Sequence, residues 1–287
     1  MGHPRTASAA ALVALGTVTG CAGEDIAGEP EWLGLPDPAS SSAPEMGALW
    51  IGAWIAAGLV GVVVWGLIIW APIRYRRRRD DEIPVQVRYN LPVEVLYTAV
   101  PFVIIFVLFF HTVRTQDVVL SEQGPPDYEI LVVGQQWSWT FNHLGPDGRD
   151  AANAAEPNDV FEVGTPADFP TLVLPVNRRV RFELESPDVI HSFWIPAYYF
   201  KIDVIPGRNN FWTVTPTVEG NFQGRCAELC GLAHSRMLFE VNVVSEEEYQ
   251  AHLADLAAQG NTGIATGAGE ASGEVAGLDT DTEEGGP

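Results

Sequence analysis

Basic charge, sulfur and haem-attachment motifs are all scarce in this chain. Of 287 residues only three are cysteine and three methionine, and Lys201 is the single lysine. Sixteen Lys and Arg stand against 37 Asp and Glu, a formal net charge of −21. That balance excludes nucleic acid as a partner, because phosphate contacts need a basic surface. It suits a positively charged partner drawn in by long-range attraction. No C-x-x-C-H run occurs, which excludes a covalently attached c-type haem. The stretch Met46–Ala71 contains no charged residue at all.

That uncharged stretch is long enough to cross a hydrocarbon core of about 30 Å with some tilt. Trp50 and Trp70 sit near its ends, where interfacial aromatics belong. A second apolar run extends from Pro92 to about Val113, with Pro101 inside it. Neighbouring helices can satisfy the carbonyl that this proline frees. Between the runs lie Arg74, Arg76, Arg77, Arg78, Arg79 and Arg88, whereas the segment from Cys21 to Glu45 holds six acids and no base. The positive-inside rule therefore puts the connecting loop in the cytoplasm and both termini outside. Residues 1–20 read as an export signal, with Arg5 before an apolar core, and "VTGC" ends it at Cys21 in the manner of a bacterial lipobox. Cys21 is then the lipidated first residue of the mature chain.

After Val113 the sequence is rich in short β-type runs separated by Gly, Pro and Asn, such as "YEILVVGQQWSWTF", "TLVLPVNRRVRFELES" and "MLFEVNVVS". An antiparallel sandwich or barrel over 114–250 is the expectation. Residues 142–170 read as a polar insertion between strands, with six acids against Arg149 alone. Ser245 and Glu248 have capping-box spacing before a closing helix. From Gly260 the chain is Gly-, Ala-, Thr- and acid-rich and is expected to be disordered.

The scarce sulfur is not scattered. "GRCAELCGLAHSRM" places Cys226, Cys230, His234 and Met237 within twelve positions. A disulfide loop would explain the cysteines and leave His234 and Met237 without a role. Thiolate, imidazole and a weak thioether are the ligands of copper electron-transfer sites, in which one further histidine comes from an upstream strand. "SPDVIHSFWIP" supplies it as His191. The second cysteine points to two bridged copper ions sharing one unpaired electron.

"HSFWIP", "KIDVIPGRNN" and "GRCAELCGLAHSRM" resemble subunit II of haem–copper cytochrome c oxidases, over roughly residues 46–250. The resemblance implies a membrane-anchored all-β protein. A hairpin of two transmembrane helices (46–113) would carry an extracytoplasmic cupredoxin-like domain with a dinuclear copper A centre. It implies side-chain ligands at His191, Cys226, Cys230, His234 and Met237, and a backbone carbonyl ligand at Glu228. The Glu228 side chain would serve a magnesium or manganese ion shared with subunit I. In "GQQWSWTF", Trp137 matches the tryptophan at which electrons arrive from cytochrome c. In "NLPVEVLYTAVPFVI", Glu94 matches a glutamate at the cytoplasmic mouth of a proton path. Further implied partners are oxidase subunits I and III, with haem carried by the partner subunit. Lipobox and insertion together resemble the high-GC Gram-positive form, whose donor is a cytochrome c domain of the bc1 complex.

Three other classes fit less well. A quinol oxidase subunit would lack the ligands. A copper chaperone would show a thioredoxin-like α/β pattern and one span. A nitrous-oxide-reductase-type domain would be joined to a propeller for which the chain has no room.

Overall fold

The computed structural model describes residues 33–79, 81, 83, 85–121, 124–145 and 158–266. The signal segment, Cys21, residues 146–157 of the insertion and the tail beyond 266 lie outside the described residues.

Two long helices come first, α1 (Ala43–Arg74) and α2 (Leu91–Leu120). Each begins with a proline in its first turn, where the missing N–H costs nothing. Glu94 reaches back to accept the Asn90 N–H at 2.9 Å, closing the first turn of α2. Most apolar side chains of both helices are exposed, Val62 and Ile73 at 74% and 70%. Such a surface is tolerable only against lipid or other apolar helices.

Both helices outrun their apolar runs. α2 continues seven residues past Val113, and in that extension Thr115 and Val119 are buried. Hydropathy marks where lipid ends, but a helix stops only where its backbone bonding stops. The segment before α1 is likewise tied to the β-rich region. Ala39 N–H donates to the Ala197 carbonyl at 2.9 Å and Ser41 N–H to the Thr215 carbonyl at 2.9 Å.

The remainder is a two-sheet sandwich, as the all-β expectation required. One sheet contains β1 (Tyr128–Gln135), β2 (Ser138–His143), β3 (Val160–Val163), β5 (Val180–Glu185) and β8 (Asn210–Val214), in the order β3-β2-β1-β5-β8. The other contains β4 (Thr171–Pro175), β6 (His191–Ile195), β7 (Phe200–Val204), β9 (Gly220–Cys226) and β10 (Leu238–Val244), in the order β4-β10-β9-β6-β7. Trp139, Phe141, Phe182, Phe193, Trp212 and Phe239 fill the space between the sheets and are essentially inaccessible. The sandwich is not purely antiparallel: β1 pairs with β5, and β4 with β10, in parallel. Both pairings join strands distant in sequence, so hairpin reasoning could not anticipate them.

α3 (Glu246–Ala258) closes the fold through the expected capping box, with Glu248 N–H on Ser245 Oγ and Ser245 N–H on Glu248 Oε2. Two expectations need correction here. The stretch read as an insertion contains β3, whose register against β2 runs from Thr140↔Val163 to His143↔Val160. Two of its six acids serve the fold: Asp159 is 1% exposed and accepts the Gly145 N–H at 2.7 Å, and Glu162 accepts the Thr171 N–H at 2.5 Å. Nor is the tail free from Gly260 onward. Ala265 N–H donates to Asn142 Oδ1 at 2.7 Å, and Ile264 packs on Leu131, Val133 and Leu144.

Candidate metal centre

The donor residues meet because strand ends meet. His191 opens β6 and Cys226 closes β9, and these strands pair at Phe193↔Cys226. The eleven-residue return from β9 to β10 is pinned at its base, where Cys226 N–H donates to the Met237 carbonyl at 3.0 Å. His191, Cys226, Cys230 and Met237 are all buried, and His234 is half-buried.

Cys226 Sγ lies 3.9 Å from Cys230 Sγ, and both are free thiols. Cys230 Sγ lies 3.5 Å from His234 Nδ1 and 3.8 Å from Met237 Sδ. Cys226 Sγ lies 3.9 Å from His191 Nδ1 and 3.2 Å from the Glu228 carbonyl oxygen. Among the described residues, His191, Cys226 and Cys230 are the one group of three such ligand atoms mutually within 4.8 Å. All six donors named from the sequence are therefore brought together.

Two buried thiols this close titrate as a pair. Their mutual hydrogen bond favours the Cys226 thiolate, aided by His191, and the same bond with burial holds Cys230 protonated. Burial pushes the His191 imidazole down, but Cys226 and Asp188 outweigh it and leave its pKa above the ordinary value. Asp188 Oδ1 sits 2.9 Å from His191 Nε2. Partial burial pushes the Asp188 carboxyl up, yet the Gln136 N–H, His191 and the Val189 N–H together hold it below the usual carboxylate range.

Trp137 occupies the turn between β1 and β2, half-buried, its indole N–H on the Cys230 carbonyl at 3.3 Å. The Gln136–Trp137 peptide bond is cis. Glu228 is exposed beside the cluster. Glu94 is remote from it, half-buried at the start of α2. Sequence reasoning missed Asp188 and Gln136, which touch the cluster or its backbone. Only their adjacency to His191 and Trp137 could have flagged them.

Two family models match the chain: cytochrome c oxidase subunit II, transmembrane domain, over residues 28–114, and cytochrome c oxidase subunit II, periplasmic domain, over residues 128–244. The chain is 47% identical to a probable cytochrome c oxidase subunit 2 of Streptomyces avermitilis, covering 87% of this chain and 85% of that one. It is 36% identical to cytochrome c oxidase subunit 2 of Mycobacterium tuberculosis, covering 88% and 82%. Among solved structures, the periplasmic domain of cytochrome oxidase subunit II from Bradyrhizobium japonicum is 29% identical, covering 47% of this chain and 97% of that one, with a TM-score of 0.42. Both the hairpin and the sandwich are thus accounted for, and the chain belongs to the cytochrome c oxidase subunit II family, the membrane-embedded subunit that works beside the other subunits of the oxidase complex.

Proposed function

We propose that the chain accepts electrons from cytochrome c at Trp137 and delivers them to a haem of subunit I, with its six clustered donors holding two copper ions. The observation that carries this reading is the pair of buried free thiols 3.9 Å apart, flanked by imidazole and thioether. Family membership implies a copper centre, and the donor set fits one: soft thiolates and a thioether select copper over the hard cations that carboxylates favour. His191, Cys226, Cys230, His234 and Met237 would bind through side chains and Glu228 through its carbonyl. Bound there, the copper pair supplies a one-electron redox couple. The chain's part is to exclude water by burial and to hold the donors on paired strand ends, so that little moves when charge arrives. Trp137, on the backbone of Cys230, offers the donor a surface joined to a ligand by one hydrogen bond.

Around this core stand the remaining assignments. The exposed Glu228 side chain is available to a magnesium or manganese ion shared with subunit I. Glu94 takes protons at the cytoplasmic side, in addition to closing its own helix turn. The arginine-rich loop faces the cytoplasm of a bacterial cell, both termini lie outside its membrane, and Cys21 carries a lipid. Subunits I and III flank the hairpin. The donor is a cytochrome c, free or as a domain of a bc1 complex.

Rapid mixing of the purified oxidase with reduced cytochrome c tests the central reading. The wild type oxidises the donor in a fast phase. Cys226→Ser replaces a soft ligand by a hard hydroxyl and lacks that phase, while the subunit I haem still accepts electrons from a small reductant. Equal fast phases in both would refute the assignment. For Glu94, Glu94→Gln keeps the size and removes the proton-binding group. Steady turnover falls while reduction by the donor stays normal, and unchanged turnover would reduce Glu94 to a helix-closing acid.

A further inference from the structure

The turn that carries Trp137 is fastened to the cluster on two sides, and Gln136 makes an attachment on each. Its backbone N–H donates to Asp188 Oδ2 at 2.7 Å, and the other oxygen of that carboxylate sits 2.9 Å from His191 Nε2. Its side-chain amide donates to the Cys230 carbonyl at 2.6 Å, the oxygen that also receives the Trp137 indole N–H. One residue thus links the turn to the His191 side of the cluster and to the cysteine loop.

The opposing surface is shaped to receive it. Gly231 follows Cys230 with φ +127°, a conformation that side chains rarely adopt. A Cβ there would lie 3.0 Å from Gln136 Nε2 and 3.1 Å from Trp137 Nε1 and Cζ2. A side chain at this position would press on both Gln136 and Trp137, so their close approach needs a glycine. The turn itself is not chosen by turn chemistry. Two-residue hairpin turns favour Asn, Asp and Gly, whereas this one is Gln-Trp between Gln135 and Ser138. Where local preference is overridden in this way, the residues tend to serve the site rather than the fold.

We propose that Gln136 is a positioning residue for electron transfer: its amide pins the turn to the Cys230 carbonyl so that the Trp137 indole N–H stays on that same oxygen, and its backbone ties the turn to His191 through Asp188. The proposal rests on the reading of Trp137 as the place where electrons arrive. The electron leaves a reduced donor haem, and no bond to Gln136 or Trp137 forms or breaks. What Gln136 supplies is a constant separation between ring and ligand backbone. Transfer rates fall steeply with separation, so a loosened turn lowers the rate without weakening donor binding.

Gln136→Leu and Gln136→Glu in the purified oxidase test this, the first removing the amide and the second replacing its donor by an acceptor at nearly constant size. Two readouts are used. Amide hydrogen exchange of the peptide spanning residues 135–139 should quicken about tenfold in both variants, the loss expected for one good hydrogen bond. Donor oxidation at saturating donor should slow by about the same factor, with the half-saturating donor concentration and the visible absorption of the centre unchanged. Unchanged exchange and unchanged rate would overturn the proposal. A higher half-saturating concentration at an unchanged maximal rate would make Gln136 a docking contact, which also overturns it. Loss of the visible absorption would mean that Gln136 supports the ligand loop rather than the ring, and the proposal would fall in that case too. The exchange readout does not depend on metal, so it still tests the clamp if Cys226→Ser shows the copper reading to be wrong.

Discussion

His191 and His143 are both buried on strands, at 0% and 1% exposure, yet their surroundings drive them in opposite directions. His191 lies against Gly134 near the turn of the β1–β2 hairpin, and His143 closes β2 at the far end of the same hairpin. At the first end, Cys226 and Asp188 face the imidazole and outweigh its desolvation. At the second, burial dominates, His252 adds repulsion, and the pKa falls to about 3. His143 Nδ1 pairs with the Tyr249 hydroxyl at 2.9 Å, and Nε2 has no hydrogen-bond partner. Burial without an anionic partner therefore keeps an imidazole neutral, and Cys226 and Asp188 reverse that at His191. The cluster end sets anionic groups against its imidazole, whereas the α3 end covers its own with Tyr249.

The larger of two effects that sharpen this contrast concerns acid. His143 stays neutral in the fold, while an unfolded histidine binds a proton near pH 6.5. The unfolded state thus gains protons as pH falls below 6.5, and stability should drop by roughly 1.4 kcal/mol per pH unit toward about pH 3, with no effect above 6.5. In His143→Asn that contribution to the acid slope should disappear. At neutral pH the variant should be slightly less stable, by about 1 kcal/mol for the lost bond to Tyr249. Thermal unfolding of the chain from pH 7 to pH 4 reads both, and identical slopes in the two proteins would contradict the contrast. The smaller effect lies at the other end. Met237→Leu removes the weakest donor, so redox titration should show a shifted potential with copper content retained. Loss of the metal would show that Met237 is no weak ligand.

How much of this was legible depended on how local the signal was. Both spans announce themselves, because about twenty uncharged residues have few other uses. The cluster was legible because Cys226, Cys230, His234 and Met237 share one loop and the chain has little other sulfur. The α3 cap is a four-residue pattern and formed as read. What escaped was non-local. β3 is only "VFEV" between turn residues, and it becomes a strand by pairing with β2. Residues 260–266 look featureless, but Asn142 bonds their backbone and Ile264 finds a small apolar cluster. Asp188 and Gln136 are ordinary polar residues until the fold sets one against His191 and the other against Cys230.

Everything turns on what the buried thiols hold. Metal analysis and electron-spin resonance of the oxidised, purified complex address that directly, with Cys226→Ser as the reference for any copper bound by other subunits. The expected result is two more copper ions per chain in the wild type than in the variant, and a signal split by two equivalent copper nuclei. One additional copper with a single-nucleus splitting, or equal copper in both proteins, would contradict a dinuclear centre.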